Sequence, residues 1–153
     1  MAGEAVTCGR TQQSLVYCWG LNASGQIGDG STTNRPVPTL VVGGPSLSGL
    51  TAGGQHLCGL DAGGAAYCWG NNSFGMLGDG TTTNRLSPTP VAGGFTFNAL
   101  TAGYYHTCGV ATDGKAYCWG RNEGAVGDGT EPQRTTPTAV LTPQTFLSIA
   151  AGG

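Results

Sequence analysis

Six cysteines are the most reactive side chains of this 153-residue sequence. They form three pairs that share a separation of ten residues and recur every 50: Cys8 with Cys18, Cys58 with Cys68, and Cys108 with Cys118. Such pairs can form disulfides or remain buried thiols that pack as small apolar groups. Zinc fits poorly, because the spacing is not CxxC and no second ligand pair stands nearby. We expect three disulfides, which would indicate an oxidising compartment.

Three tryptophans recur with the same period, each within the word YCWG: Trp19, Trp69 and Trp119. A row of tryptophans could stack on a ligand, but identical positions in successive copies favour packing between the copies. In an extended strand, the Trp and Tyr side chains of this word lie on one face and the Cys on the other. We therefore predict a structural role for all three tryptophans.

The aspartates of the repeated word GDG could suggest a calcium loop: Asp29, Asp79 and Asp128. An EF-hand requires oxygen ligands at alternate positions and a distal Glu, and this sequence has neither. An Asp that accepts hydrogen bonds from backbone amides in a tight turn explains the word better. The glycines also lack the following Lys and helix of a phosphate-binding loop. We predict structural turns and no metal site.

No arrangement of residues indicates catalysis. His56 and His106 occupy repeated strand positions, and no motif places a nucleophile beside either of them. We expect both to make hydrogen bonds in the core. Asn22 matches a glycosylation acceptor in Asn-Ala-Ser, but the surrounding words make it a loop residue first. The sequence therefore predicts a protein that is not an enzyme and needs no cofactor.

The composition excludes several classes of partner. The net charge is −2, and the six Lys and Arg residues are not clustered, which argues against a nucleic-acid surface. No apolar run approaches the roughly 20 residues that span a bilayer. The opening MAGEAVTCGR has neither the basic segment nor the apolar core of a signal peptide. Gly is 29 of 153 residues, so the chain is rich in turns and cannot be mostly helical.

The repeated words indicate one structural unit in three copies, at about 1–52, 53–102 and 103–153, within a single domain. The stretch HTCGVATDGKAYCWG (106–120) predicts a β-hairpin with a three-residue loop at 112–114, which places Cys108 opposite Cys118. Two further short apolar stretches per copy make about four strands in 50 residues. Four-stranded units that repeat radially are the blades of β-propellers.

The combination of AG..H.C, DG..YCWG.N..G..GDGT and P..V resembles the repeat of the regulator of chromosome condensation family, especially its short bacterial versions. Three successive copies of this pattern together cover nearly the whole chain. The resemblance implies a β-propeller, usually of seven blades in that family, and it implies binding rather than catalysis. Family members recognise chromatin and a small GTPase, inhibit β-lactamases, or sense light. The first copy departs from the pattern, with Val6 where the others have His56 and His106.

We predict an all-β, propeller-type array of three four-stranded antiparallel blades. Closed propellers need about four to eight blades, so three blades form an open arc that requires another copy or further sequence to close. Three arrangements would do this: a longer propeller, a six-bladed ring of two copies, or a head-to-tail filament. Met1–Gly3 and Ile149–Gly153 begin and end at the same point of the repeat, so we expect the chain not to function as a lone monomer.

The expected function is a non-catalytic protein-binding or scaffolding module, secreted or at the cell surface. Its partner would be another protein, including other copies of the chain, with no nucleic acid and no membrane insertion. Loops differ most between the copies, and they carry the candidate binding residues Phe74, Tyr104, Tyr105 and Arg121. The alternative for Tyr104 and Tyr105 is that they are packed. Self-assembly as a structural protein and enzyme inhibition are the two other candidate functions.

Overall fold

The computed structural model describes residues 5–153, and these form eleven β-strands and no helix. In chain order the strands are β1 (Val6–Arg10), β2 (Val16–Gly20), β3 (Arg35–Leu40), β4 (Leu47–Ala52), β5 (His56–Asp61), β6 (Ala66–Gly70), β7 (Arg85–Pro90), β8 (Phe97–Ala102), β9 (His106–Ala111), β10 (Ala116–Gly120) and β11 (Arg134–Ala139). The all-β prediction is confirmed. Because residues 5–153 contain no helix, none of them belongs to a helical membrane span.

The strands form three antiparallel sheets that follow one another along the chain. The second sheet has the order β4-β5-β6-β7 and the third has the order β8-β9-β10-β11, so both are four-stranded as predicted. The first sheet has only three strands, β1-β2-β3, within the described residues. The prediction of four is wrong there, because β4 at the end of the first repeat copy pairs with β5 of the second. The prediction for Met1–Gly3 lies outside the described residues.

The central hairpin of each blade has the register that the sequence predicts. Cys58 stands opposite Cys68, and the equivalent pairs stand opposite each other in the other two blades. The ladder from β6 to the outer strand β7 shifts its register between Cys68 and Gly70, so Trp69 has no partner on β7. Such an irregularity redirects a side chain. The same shift occurs in the first and third blades.

The apolar core lies between successive blades as well as within them. One buried cluster joins Val6 and Ile27 of the first blade to Leu57 and Trp69 of the second. Another joins Leu77 of the second blade to Phe97, Trp119 and their neighbours in the third. Each blade therefore buries its apolar face against the next one. The array is open, since no ladder joins the first sheet to the third within the described residues.

Candidate functional site

The six cysteines are joined in three disulfides, one across the central hairpin of each blade. In each pair the Cα atoms are 4.1 Å apart, because the two residues are directly opposed on antiparallel strands. All six side chains are buried. The prediction of three disulfides is confirmed, and it leaves no free thiol for nucleophilic or metal chemistry.

Two of the tryptophans connect their blade to the preceding one. Trp69 is fully buried, and its indole N–H donates to the carbonyl oxygen of Gln26 at 3.0 Å. Trp119 makes the equivalent bond to the carbonyl oxygen of Met76 at 2.8 Å. Gly78 leaves room for this ring, since a Cβ there would lie 2.7 Å from Trp119 Nε1, and its φ of 68° also favours glycine. These tryptophans therefore pack between blades and do not present a ligand-stacking row.

The aspartates belong to a buried polar network that the second blade illustrates. The Nδ2 of Asn72 donates to Asp79 Oδ1 at 3.2 Å and to the carbonyl oxygen of Thr81 at 3.0 Å. Asp79 Oδ1 also accepts from the backbone N–H and the hydroxyl of Thr81. Its Oδ2 accepts from Arg85 Nε at 2.7 Å. The network ties the long loop between β6 and β7 to the start of β7.

The same network recurs in the other two blades, around Asn22 with Asp29 and Arg35, and around Asn122 with Asp128 and Arg134. Burial alone would raise the pKa of Asp79, but hydrogen bonds from Thr81 and Arg85 outweigh it and hold the pKa below its usual value. Each of these carboxylates is thus committed to hydrogen bonds within its own loop. Within residues 5–153, no three His, Cys, Asp or Glu side chains are grouped to hold a metal ion.

The aspartates were predicted to be turn residues and Asn22 a loop residue, but the role of the asparagines in organising these loops was not predicted. The sequence does contain a signal for them. The word WGxN occurs once per copy and places an Asn three residues after each tryptophan. Asn22 is fully buried, and its Nδ2 donates to the carbonyl oxygens of Ser31 and Thr33 at 3.0 Å. That nitrogen is the atom which glycosylation would modify. Asn22 is therefore a structural loop residue in this fold.

The two histidines occupy equivalent positions but have different surroundings. His56 is fully buried between the second and third blades, and its Nε2 lies 2.8 Å from the Thr107 hydroxyl oxygen. That hydroxyl donates to the carbonyl oxygen of Met76 at 2.9 Å, so Nε2 of His56 carries the proton and donates. Burial, with a smaller contribution from His106, lowers the pKa of His56 to about 3. His106 is only half-buried, and burial lowers its pKa as well.

The structure brings together all four residues that the sequence proposed for protein binding. The ring centroids of Phe74 and Tyr105 are 5.3 Å apart, and those of Tyr104 and Tyr105 are 4.4 Å apart. The Arg121 Cζ lies 5.5 Å from the centroids of both Phe74 and Tyr105. We call Phe74, Tyr104, Tyr105 and Arg121 the aromatic–arginine cluster. Tyr105 is exposed and the other three are half-buried, so packing and exposure coexist in this cluster.

Two shallow cavities flank Arg121 at this surface. One, of about 300 Å³, is lined by Phe74 and Arg121 together with Glu123, Glu131 and Gln133. Glu123 Oε1 accepts from the Arg121 guanidinium at 2.7 Å, which holds the arginine over the rings. Glu123, Glu131 and Gln133 were not predicted to line this surface. They lie in the same loop as Arg121, between β10 and β11, and no local pattern shows that this loop meets Phe74 of the second blade. The second cavity borders Tyr104 and Tyr105 on the open face of the third blade.

The aromatic–arginine cluster occurs once in the array, although it is built on repeated backbone positions. The first and second blades have Leu21 and Asn71 where the third has Arg121, and Gln55 stands where Tyr105 does. The third copy lacks the residue that corresponds to Phe74, because its loop is one residue shorter. The repeat therefore supplies the scaffold, and substitutions within the loops give one blade junction a surface that the others lack.

The fold and these sites define a disulfide-linked, propeller-type repeat protein. A sequence model described as the regulator of chromosome condensation (RCC1) repeat matches residues 13–60 and 63–110, and a second with the same description matches 48–75 and 97–124. The chain belongs to the regulator of chromosome condensation repeat family. The resemblance seen in the repeated words is thereby confirmed.

Several solved structures have a similar fold. Prp20p from Saccharomyces cerevisiae is 25% identical with a TM-score of 0.86, and the match covers 99% of this chain and 41% of that one. Yeast RCC1 (Prp20) bound to Kap60 is 25% identical with a TM-score of 0.83, covering 93% and 36%. The ectodomain of the Physcomitrella patens receptor kinase CR4 is 27% identical with a TM-score of 0.59, covering 99% and 35%. The chain thus spans about two fifths of the length of these relatives.

Proposed function

We propose that this protein is a non-catalytic binding module that contacts another protein through the aromatic–arginine cluster. The observation that carries the proposal is the convergence of Phe74, Tyr105 and Arg121 from two blades onto one surface. Tyr, Trp and Arg are enriched among the residues that dominate binding energy at protein interfaces. Relatives support the partner class, since one yeast structure contains Kap60 and another was described with binding to Gsp1p and histones.

The geometry of Arg121 favours binding over a purely structural role. Its side chain is already ordered by two rings and by Glu123 before any partner arrives. A preorganised side chain loses little rotamer entropy on association, which otherwise costs about 0.5–1.5 kcal/mol for each immobilised side chain. The exposed edge of Tyr105 and the flanking cavity would then accept apolar and hydrogen-bonding groups of the partner.

Reactive side chains elsewhere in the chain support a role without catalysis. The cysteines are in disulfides, and the GDG aspartates are each bound to an arginine. His56 is fully buried and bonded to Thr107. The three disulfides also support a location in an oxidising compartment, so we propose that the protein is secreted or exposed at a cell surface.

Site-specific photo-crosslinking tests the binding proposal. A crosslinking amino acid at Tyr105 should capture one predominant partner, whereas the same group at the exposed Thr82 should not. Binding of the purified partner to Tyr105→Ala and Arg121→Ala should weaken about 30-fold or more, as expected for residues that dominate an interface. Thr82→Ala should bind as the unsubstituted protein does. Equal affinity of all variants would contradict the proposal, and unfolding of Tyr105→Ala, seen by circular dichroism, would indicate a packing role instead.

Self-assembly is a second candidate function, and one observation favours it. Trp69 and Trp119 are fully buried against a preceding blade, whereas Trp19 at the same position of the first blade remains half-buried. Such an unfilled junction is suited to another blade. A solution mass above the 15.3 kDa of one chain would support self-assembly, and a stable monomer at high concentration would contradict it.

A further inference from the structure

The array has two internal junctions, between the first and second blades and between the second and third. At each junction, one particular residue of a blade is matched with one particular residue of the next blade. At the first junction, Val6 and Leu57 lie in the same buried apolar cluster. At the second, His56 donates to Thr107. These pairs occupy equivalent positions, since Val6 and His56 begin the inner hairpin strands of their blades and Leu57 and Thr107 follow those positions by one residue. An apolar residue is thus matched with an apolar one, and His is matched with Thr.

The open faces of the first and third blades carry the remaining members of this pattern. The third blade presents His106, and the first blade presents Thr7, opposite Trp19 on the central hairpin. By this pattern, His106 on the open face of the third blade would be matched with a Thr. The open face of the first blade carries Thr7 at the corresponding position. A blade with Leu at this position, as the second has at Leu57, would leave the ring N–H of His106 without a partner. Burying such an unpaired donor costs about 1–3 kcal/mol.

His106 is already held in the orientation that its buried counterpart adopts. A Cβ on Gly103 would lie 2.6 Å from His106 Cε1, and Gly53 approaches His56 in the same close manner. Beside His106, a cavity of about 320 Å³ is lined by Tyr104, Asn122 and Ala125, among others. Ala125 corresponds to Gln26 and Met76, whose carbonyl oxygens accept the tryptophan N–H at the two internal junctions. The Ala125 carbonyl oxygen beside this cavity therefore corresponds to the acceptor of a tryptophan N–H at the internal junctions.

The C-terminal segment already follows the path of the first strand of a further blade. Phe146 N–H donates to the Gly114 carbonyl oxygen at 2.8 Å, as Phe97 N–H does to Gly64. Farther along, Ala151 N–H donates to the Thr101 hydroxyl oxygen at 3.2 Å. The equivalent bond one blade earlier runs from Ala102 to Thr51 at 3.0 Å. Residues 146–151 thus lie against the third blade as β8 lies against the second.

From these matches we propose that a second copy of this chain docks its first blade onto the third blade of the first copy. In this arrangement Trp19 of the second copy lies against the third blade and donates to the Ala125 carbonyl oxygen. Thr7 bonds His106, as Thr107 bonds His56. Phe146–Ile149 of the first copy then pairs with β1 of the second, with Phe146 opposite Thr11 and Ile149 opposite Gly9. These pairings follow the β4–β5 register by equivalence. The first blade thereby obtains its fourth strand.

This inference rests on the proposed self-assembly and names its contact, so its test must separate the two. Thr7→Lys blocks only the first-blade face, and Ala125→Lys blocks only the third-blade face. Thr7 is half-buried on β1 and Ala125 is exposed, so both lysines can be accommodated in the folded chain. Thr82→Lys, at an exposed position away from both faces, is the matched control. Circular dichroism and thermal unfolding confirm that each variant is folded.

Light scattering coupled to gel filtration gives the expected result. The unsubstituted chain and Thr82→Lys should associate, whereas Thr7→Lys and Ala125→Lys should each be monomers, with dissociation constants raised at least about 100-fold. An equimolar mixture of Thr7→Lys and Ala125→Lys retains one intact pair of faces. It should therefore form a 1:1 complex of twice 15.3 kDa, and no larger species. Trp19 fluorescence should shift to shorter wavelength on mixing, because that ring becomes buried.

Every other outcome contradicts a specific part of the proposal. If the unsubstituted chain stays monomeric, both the self-assembly and the named contact are wrong. If it associates but the two lysine variants do so equally well, self-assembly stands and the named contact is wrong. If the variants are monomeric and their mixture remains monomeric, the contact is not head-to-tail.

Discussion

Between the first and second blades, Val6 and Leu57 lie in one buried apolar cluster, whereas His56 and Thr107 fill the same two positions between the second and third blades. The backbone surroundings are alike, since each junction also contains a tryptophan N–H donating to a loop carbonyl oxygen of the preceding blade. The repeat of this chain thus accommodates either an apolar or a polar pair at the junction between blades. It does so because the tryptophan contact is common to both and fixes how the blades approach.

The same two junctions also differ in their aromatic content. At the second junction, the ring centroid of Phe95 lies 4.4 Å from that of Tyr117 and 5.9 Å from that of Phe97. Pro45 takes the corresponding place at the first junction, where Leu15 and other apolar side chains line a shallow cavity of about 90 Å³. Leu15 is 45% exposed. Beyond the Trp and Tyr that both junctions contain, the second junction therefore adds further rings and a polar bond, and the first adds smaller aliphatic groups.

Removal of the tryptophans should have the largest effect and should affect both junctions alike. We expect Trp69→Ala and Trp119→Ala each to lower the free energy of unfolding by about 3–5 kcal/mol, as for other buried large-to-small substitutions. Trp19→Ala is the matched control, and it should cost less because that ring is half-buried. Chemical denaturation measures all three. A small loss for either buried ring would mean that its junction does not depend on the shared contact.

Mild acid should lower the free energy of unfolding through His56, which is present at the second junction and replaced by Val6 at the first. The pKa of His56 is about 3 in the folded state and about 6.5 in the unfolded state, so only the unfolded chain binds this proton between those values. Stability from this group is therefore complete above pH 6.5 and falls on acidification, by about 1.4 kcal/mol per pH unit. Denaturation between pH 7 and 4.5 should show this slope. His56→Leu should reduce it, while His106 continues to contribute, and an unchanged slope would contradict the assignment.

Substitution of Thr107 should destabilise the second junction without creating a large cavity. Thr107→Val removes the hydroxyl and leaves the N–H of His56 and the carbonyl oxygen of Met76 without this partner. We expect a loss of about 2 kcal/mol in the free energy of unfolding. The double variant His56→Val with Thr107→Leu imitates the first junction and should be more stable than Thr107→Val alone. A double variant that is less stable would show that the two junctions are not interchangeable.

The smallest effect should come from the Asp–Arg ion pair of the loop network, which lies within each blade and away from the junctions. Asp79→Asn removes the charge that binds Arg85, whose side chain is 36% exposed, while the amide oxygen can still accept from the backbone N–H of Thr81. We expect a loss of about 1 kcal/mol, because partly exposed ion pairs contribute little. Asp29→Asn should behave in the same way in the first blade. Unequal losses in thermal denaturation would mean that the loop network also depends on its junction.

The sequence alone predicted the parts of this protein that depend on local spacing. Cysteines ten residues apart on either side of a tight turn must face each other on a hairpin, and the structure places Cys58 opposite Cys68. The strict recurrence of the words predicted the blades and their family. The four candidate binding residues were proposed for a related reason, since they stand where the copies differ. Their contact with one another was not predictable, because Phe74 and Tyr105 lie on different blades.

Only the tertiary structure determined how the copies engage each other. The first blade was expected to have four strands, but the strand at the end of each repeat copy pairs with the next copy, so the first blade has three within the described residues. Likewise, the pairing of His56 with Thr107 spans 51 residues and depends on how one blade packs on the next. Repeat spacing defines a unit and its internal register. Which side chains meet across a junction depends on the twist and approach of whole sheets, which no local pattern contains.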